Sequence, residues 1–153
     1  MTTLAIFSIL ANISTTIAVG IGAWQLILGR SIAKAQFLLE LEKMSKYFDD
    51  IHIKLRPSGD WQPLNGMGMT LEDLTEEQIA ILEDYMGFFE HCNYLLKKGV
   101  IEFEMFNNIF GYRVENLVSS GLVREKIKVD GEESWSEFIE LCERLGLSRT
   151  VLL

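Results

Sequence analysis

Residues 4–28 read LAIFSILANISTTIAVGIGAWQLIL, and this stretch decides the organisation of the chain. It contains no charged side chain, and the first basic residue of the sequence is Arg30. A helix of this length rises roughly 37 Å, whereas the hydrocarbon core of a bilayer is about 30 Å thick. The stretch therefore predicts one transmembrane helix within residues 1–29. A cleaved signal peptide is the alternative, but its basic start is missing here.

Basic residues follow the predicted span, and none precedes it. Arg30, Lys34, Lys43 and Lys46 lie on the C-terminal side. Because Lys and Arg are enriched in the cytoplasmic segments that flank a span, the C-terminus is expected in the cytoplasm. Residues 30–153 then form a cytosolic domain, and the chain crosses the cytoplasmic membrane once.

Small and hydrogen-bonding residues recur along one side of the predicted span. In lipid such residues let helices approach closely and bond to one another. This face predicts a homo-oligomer, with an ordinary lone anchor as the alternative. A pore along the face is less favoured than either, because no charged residue marks a pathway. The residues of the face are Ser8, Asn12, Thr16 and Gly20, together with Ala18 and Gly22.

The part of the chain after residue 29 is predicted to be all-α. Apolar residues at helical spacing indicate about four helices, at 31–55, 75–97, 102–118 and 134–146, and the first continues the span as a stalk. Thr75 with Gln78 and Ser134 with Glu137 have the spacing of helix-opening capping boxes. Residues 57–69 form a linker, and residues 121–133 are predicted as a short strand or a loop. His52 is expected to be packed and hydrogen-bonded rather than a ligand.

Several function classes find no support in the sequence. All 14 basic and 22 acidic side chains lie after residue 29, so this part is acidic and is a poor binder of long nucleic acids. Cys92 and Cys142 lack metal spacing and are expected to be buried thiols. No catalytic motif, metal site or cofactor site is recognised, so the chain is not expected to be an enzyme.

One set of residues has the chemistry of a nucleotide site. Lys and Arg attract phosphates, Asn bonds an adenine edge, and Tyr or His stacks on a base. From the residues alone, solvated helix faces and helix-end charges explain the set better. Its members are His91, Tyr94, Lys97, Lys98, Asn107, Asn108, Tyr112, Arg113, Arg124 and Lys126.

Residues 88–101, FFEHCNYLLKKGVI, and residues 110–113, FGYR, resemble a family of small bacterial proteins. Members of that family have an N-terminal membrane helix and a helical cytosolic domain of unknown function. The resemblance covers roughly residues 30–145. Where members often place a Trp after the Phe-Gly stretch, this chain has Asn116, Leu117 and Val118.

The layout and size also resemble a membrane effector associated with type III CRISPR systems. That resemblance implies a tetramer in a bacterial inner membrane, with a cytosolic domain that binds cyclic tetra-adenylate and perturbs the membrane in antiviral defence. The ligand comes from the resemblance and not from charge or periodicity. The alternative function is a passive anchor or scaffold that holds a protein partner through Trp61 or the apolar tail at residues 151–153.

Overall fold

A computed structural model describes residues 3–62 and 68–148 of the chain, and describes only the backbone for residues 3–20, 22, 23 and 30. The described residues form six α-helices and two short 3-10 helices, and no strand occurs among them. The all-α prediction is therefore confirmed. The helices are α1 (Thr3–Lys46), α2 (Asp49–Leu55), α3 (Glu76–Lys97), α4 (Phe103–Ser119), α5 (Gly121–Asp130) and α6 (Ser136–Arg144), and the 3-10 helices are Leu71–Asp73 and Glu132–Trp135.

Residues 1–41 form one compact unit, and residues 42–153 form a second. In the part of the chain that the structure describes, no helix is both long and apolar enough to cross a membrane. The predicted oligomer face at Ser8, Asn12, Thr16, Ala18, Gly20 and Gly22 lies outside the residues whose side chains are described, as does most of the predicted span. The apolar tail at 151–153 is also outside the described residues.

Aromatic side chains fill the core of the second unit. α3 runs through this core, where Phe89 is fully buried and packs against Tyr85 with ring centroids 5.1 Å apart. Phe106 and Phe110 of α4 are also buried, with centroids 5.4 Å apart. Apolar burial of this kind is the main stabilising contribution to a domain of this size.

The ends of α3 follow from local sequence signals. The Thr75 hydroxyl accepts a hydrogen bond from the Gln78 backbone N–H at 3.3 Å, and the Gln78 side chain accepts one from the Thr75 N–H at 2.9 Å. This reciprocal pair satisfies two N–H groups that the first helical turn leaves free. At the other end, Gly99 has φ +66° and the Val100 N–H bonds to the Leu95 carbonyl at 3.0 Å. The predicted capping box at Thr75 and Gln78 is therefore confirmed, and Gly99 caps the other end of the helix.

The predicted helix over 31–55 is wrong in one respect, because it breaks after Lys46. The N–H groups of Tyr47 and Phe48 bond three residues back at 3.1 Å, which tightens the last turn before α2 begins at Asp49. The break lets the Phe48 ring stack on Tyr85 with centroids 5.1 Å apart. The stalk is therefore two helices rather than one.

Two further predictions are corrected by the structure. Residues 121–130 are helical, not a strand or a loop, because Leu122, Val123, Lys126 and Ile127 are buried together on one helical face. Ser134 does not cap α6, since its hydroxyl donates to the Asp130 carbonyl at 3.0 Å. With α2 and α5 added, the second unit has more helices than the four expected.

Candidate functional site

The exposed face of α3 brings three of the predicted ligand residues together. His91, Tyr94 and Lys98 follow one another at spacings of three and four, so they lie on one side of the helix. The His91 and Tyr94 rings are nearly parallel, with an interplanar angle of 27° and centroids 6.4 Å apart. Lys98 Nζ lies 5.4 Å from the centroid of the Tyr94 ring. We call His91, Tyr94 and Lys98 the α3 platform.

Lys97, next to the platform in sequence, is engaged with α6. Its Nζ lies 2.8 Å from a Glu140 carboxylate oxygen and 2.9 Å from one of Glu137. These hydrogen bonds, with Glu140 the larger contribution, raise the pKa of Lys97, and the Lys97 ammonium in turn lowers the pKa of Glu137. The charge of Lys97 is therefore balanced by two carboxylates before any ligand arrives.

A buried asparagine connects the same two helices. Asn93 is fully buried; its Nδ2 donates to Glu137 at 2.8 Å, and its Oδ1 accepts from Arg144 at 3.2 Å. Both ends of the amide are satisfied, as a buried polar group requires. Asn93 therefore joins α3 to α6 and offers no group to a ligand.

Arg113 of α4 is directed toward α2 rather than toward a ligand. Its Nη2 donates to Asp49 at 2.6 Å, and its Nε donates to the Tyr112 hydroxyl at 3.0 Å. Its Nη1 reaches the Ser45 carbonyl at 3.4 Å. Burial alone would lower the pKa of Arg113, but hydrogen bonds to Asp49, Tyr85 and Tyr112 raise it. The guanidinium is thus permanently charged and already paired.

The Arg113 contacts belong to a polar cluster that sequence analysis did not assemble. The buried His52 Nδ1 and the Tyr85 hydroxyl share a hydrogen bond of 3.2 Å. Burial, and then the charges of Arg113 and Arg56, lower the pKa of His52 to about 4. Burial also raises the pKa of Tyr85 to about 12. Both groups are therefore neutral at pH 7, and the expectation that His52 is packed and hydrogen-bonded is confirmed.

The remaining predicted residues lie elsewhere on the second unit. Lys126 is buried on α5 and pairs with Glu83, and with Asp130 at 3.0 Å. Arg124 is half-buried on the same helix. Asn107 and Asn108 are exposed on α4, and the Asn107 side chain lies against the buried Gly111.

Three cations of the predicted set, Lys97, Arg113 and Lys126, do not meet within one chain. Glu83, the partner of Lys126, and Lys97 are fourteen residues apart on α3, which is roughly 21 Å along the helix axis. Arg113 contacts Asp49 of α2, again away from Lys97. The structure thus brings together the α3 platform and leaves Lys97, Arg113 and Lys126 in three separate ion pairs.

Two small cavities lie beside these ion pairs and along α6. A cavity of about 160 Å³ beside Arg113 is lined by two cationic and two acidic side chains, so its charge favours neither anions nor cations. A cavity of about 290 Å³ along α6 is lined largely by Glu132, Glu133, Glu140 and Glu143, which would repel a phosphate. Among the described residues, no three His, Cys, Asp or Glu side chains lie together in a way that would hold a metal ion.

Comparison of the chain with protein families, with curated proteins and with solved structures gave no match.

Proposed function

We propose that this chain is a membrane-anchored binding protein of a bacterial inner membrane, with its N-terminal helix in the bilayer and its helical domain in the cytoplasm. The observation that carries the proposal is the run of large apolar side chains exposed on α1. Trp24, Leu26 and Ile27 are 69%, 71% and 64% exposed. Side chains of this size favour an apolar environment by about 1.5–3 kcal/mol each, so a bilayer is a suitable surrounding.

The sequence before this run supports the same proposal. Residues 1–29 carry no charge, and Arg30 and Lys34 follow directly. An apolar segment that ends at basic residues has the expected pattern of an anchor with a cytoplasmic C-terminus.

Membrane extraction tests the anchor. The full chain, expressed in bacteria, should stay with membranes through high salt and alkaline carbonate and leave them only in detergent. Ile17→Arg places a charge near the middle of the proposed span, which costs about 2.5–3.5 kcal/mol on insertion scales, and should release much of the protein. The matched control is Ile53→Arg on α2, which alters an exposed apolar residue outside the span. Release of the unaltered chain by salt alone would contradict the proposal.

For the ligand, we propose a cyclic oligoadenylate at the α3 platform, with membrane perturbation as the output in antiviral defence. Two near-parallel exposed rings beside an ammonium group suit a stacked base and its phosphate. In a homotetramer the platform would be repeated four times, and a ligand of four repeating nucleotides would match that number. The ion pairs of Lys97, Arg113 and Lys126 limit the proposed contacts to His91, Tyr94 and Lys98.

The scaffold alternative is weakened at one of its two points of attachment. Trp61 is only 5% exposed, and its backbone N–H donates to the Lys54 carbonyl at 3.1 Å. Gln62 beside it donates to the Ser119 carbonyl at 2.8 Å. Trp61 therefore holds the loop after α2 against the domain and is not available to a partner protein.

A thermal-shift assay tests the ligand. The full chain in mild detergent is melted with linear and cyclic oligoadenylates, cyclic tetra-adenylate among them. A ligand at a hundred times its Kd stabilises the folded state by about 2.7 kcal/mol, which raises the Tm by several degrees. Tyr94→Ala and Lys98→Glu should abolish the shift, whereas Tyr47→Ala, which also removes an exposed ring, should keep it. A folded chain whose Tm no nucleotide changes would contradict the ligand.

A further inference from the structure

An exposed apolar stripe continues along α1 after Arg30, the first basic residue after the proposed span. Ile32 and Leu39 are 50% and 57% exposed, and they are the large hydrophobic residues with such exposure between residues 31 and 40. They are seven residues apart, and Ala35 lies between them on the same face. The spacing of three and then four residues is that of a coiled-coil seam.

The stripe extends toward the N-terminus with the same seven-residue repeat. Counting back from Ile32, the seam positions are Leu28, Gln25 and Ile21, all exposed. From residue 21 to residue 39 the seam measures roughly 27 Å and contains no charge. Gln25 is its one polar member, and a single polar residue at such a position is a device that fixes register and copy number.

The charges of this segment lie off the seam. If Ile32 and Leu39 are the first positions of successive repeats, Arg30 is at a sixth position, Lys34 at a third and Glu40 at a second. All three are outer positions. Outer positions face solvent in a coiled coil, so a copy packed on the seam would meet none of these charges. This distribution is expected of a helix that packs against another helix.

We propose that residues 21–39 of α1 pack against the same segment of a second copy of this chain, as a parallel coiled coil. Lipid requires no seven-residue repeat, and it does not reach Leu39, which follows both Arg30 and Lys34. A second copy carries the same stripe in the same register, so it is self-complementary. This step rests on the proposed anchoring, which places both copies in the membrane with the same orientation.

The apolar seam ends at Leu39. The next two positions of the repeat, Glu42 and Lys46, are charged, and in a parallel pair each would face the same residue of the other copy. The parallel direction therefore follows from the shared membrane anchoring alone, and the alternative is an antiparallel pair that is centred on residue 30.

Cysteine cross-linking in the full chain tests the proposal, and the chain offers a matched pair of alanines. Ala35 lies on the seam and Ala33 lies off it, and both are exposed. The native Cys92 and Cys142 are buried and give little background. With a mild oxidant, Ala35→Cys should form a disulfide-linked dimer at least tenfold faster than Ala33→Cys.

Each result decides the question. Cross-linking at both alanines at similar rates, or no cross-linking of Ala35→Cys in a folded chain, overturns the seam. In the antiparallel pair residue 35 would lie opposite residue 25, so the absence of a disulfide-linked Ala35→Cys dimer also overturns the parallel direction. The reaction is run in membranes and again in detergent, while carbonate extraction is scored separately. A chain that is released by carbonate but still cross-links at residue 35 would refute the anchor and keep the seam.

Discussion

Arg113 Nη2 lies 2.6 Å from Asp49 Oδ1, and this contact joins α4 to the start of α2. The Arg113 side chain is only 12% exposed, whereas the carboxylate is half-exposed. A guanidinium in such a place needs its acceptors, because an unpaired buried charge is strongly unfavourable. The residue that sequence analysis offered as a ligand contact is therefore part of the framework of the domain.

The Arg113 contact predicts a loss of stability on substitution. Arg113→Ala should lower the free energy of unfolding by about 1–3 kcal/mol, because the bonds to Asp49 and Tyr112 are lost together. The unfolding free energy of Arg113→Lys should lie between those of Arg113→Ala and the unaltered chain, because an ammonium keeps the charge but cannot make the same set of planar hydrogen bonds. Urea unfolding of the full chain in mild detergent, followed by circular dichroism, measures both. Lys98→Ala, on the exposed platform, is the control and should change stability little. An unchanged Arg113→Ala midpoint would show that the cluster contributes nothing.

His52 predicts a pH dependence of stability. Its pKa is about 4 in the folded chain and 6.5 in the unfolded chain, so between these values the unfolded state binds the additional proton. Stability is therefore fully present above pH 6.5 and falls as the pH drops toward 4, by on the order of 1–2 kcal/mol. The measurement is the Tm at intervals across this window.

Substitution of each histidine separates this effect from the titration of carboxylates. His52→Asn removes the buried imidazole and should reduce the loss of Tm between pH 6.5 and pH 4. His91→Asn changes the exposed histidine of the α3 platform and should follow the unaltered chain. Identical pH profiles for His52→Asn and the unaltered chain would rule out His52 as the cause.

Local signals made part of the fold predictable. The ends of α3 depend on Thr75, Gln78 and Gly99, each of which acts within a few residues of its own position, so sequence spacing is enough. The break before α2 depends instead on Phe48 reaching Tyr85, which is 37 positions away in the chain. Its one local signal was the pair Asp49 and Asp50, because acidic residues are favoured in a first helical turn.

The sequence predicts a strand or a loop in place of helix α5 because its residues fit both the two-residue period of a strand and the 3.6-residue period of a helix. Arg124, Lys126 and Lys128 alternate with Val123, Glu125, Ile127 and Val129, and this alternation of period two is close to the pattern of a strand. Lys126 is nevertheless buried, since its ammonium pairs with Glu83 and Asp130 while its stem covers the core. Because Lys126 is counted as a solvent-facing position in the sequence pattern, the segment is predicted as a strand or a loop although it is a helix.

For the candidate site, the sequence predicts which residue types are present but not which of them contact one another. Arg113 finds Asp49 across 64 positions and Lys97 finds Glu140 across 43. Nothing in one sequence connects residues so far apart. The α3 platform is different, because His91, Tyr94 and Lys98 share one helix and helical spacing alone places them on one face.

The contacts of Asn93 predict that removing this buried amide lowers stability more than removing an exposed amide does. Asn93→Ala should lower the free energy of unfolding by about 1–3 kcal/mol, because Glu137 and Arg144 lose their shared partner and a small void is left. Asn108→Ala on α4 is the control, since Asn108 is exposed and should change stability by no more than about 0.5 kcal/mol. Equal unfolding midpoints for the two variants would refute the role given to Asn93.

Two glycines predict opposite effects of the same substitution. At Gly59 an added Cβ would collide with the carbonyl oxygens of Ile53 and Lys54, where the loop folds back on α2. Backbone atoms at the end of a helix cannot move aside cheaply, so Gly59→Ala should destabilise the chain by about 1–3 kcal/mol. At Gly87, inside α3, an added Cβ has no neighbour within 4 Å. Gly87→Ala should therefore stabilise by about 0.5–1 kcal/mol, through the higher helix propensity of alanine.

The pair is measured as Tm values of the full chain in the same detergent. Each variant serves as the control for the other, since both add one methyl group to a glycine. The Gly59 result also reports on Trp61, because the turn at Gly59 lets the Trp61 N–H reach the Lys54 carbonyl. If Gly59→Ala has the same Tm as the unaltered chain, the loop can move enough to accept the added methyl group. The close approach of Gly59 to the end of α2 would then not be what holds the Trp61 N–H at the Lys54 carbonyl.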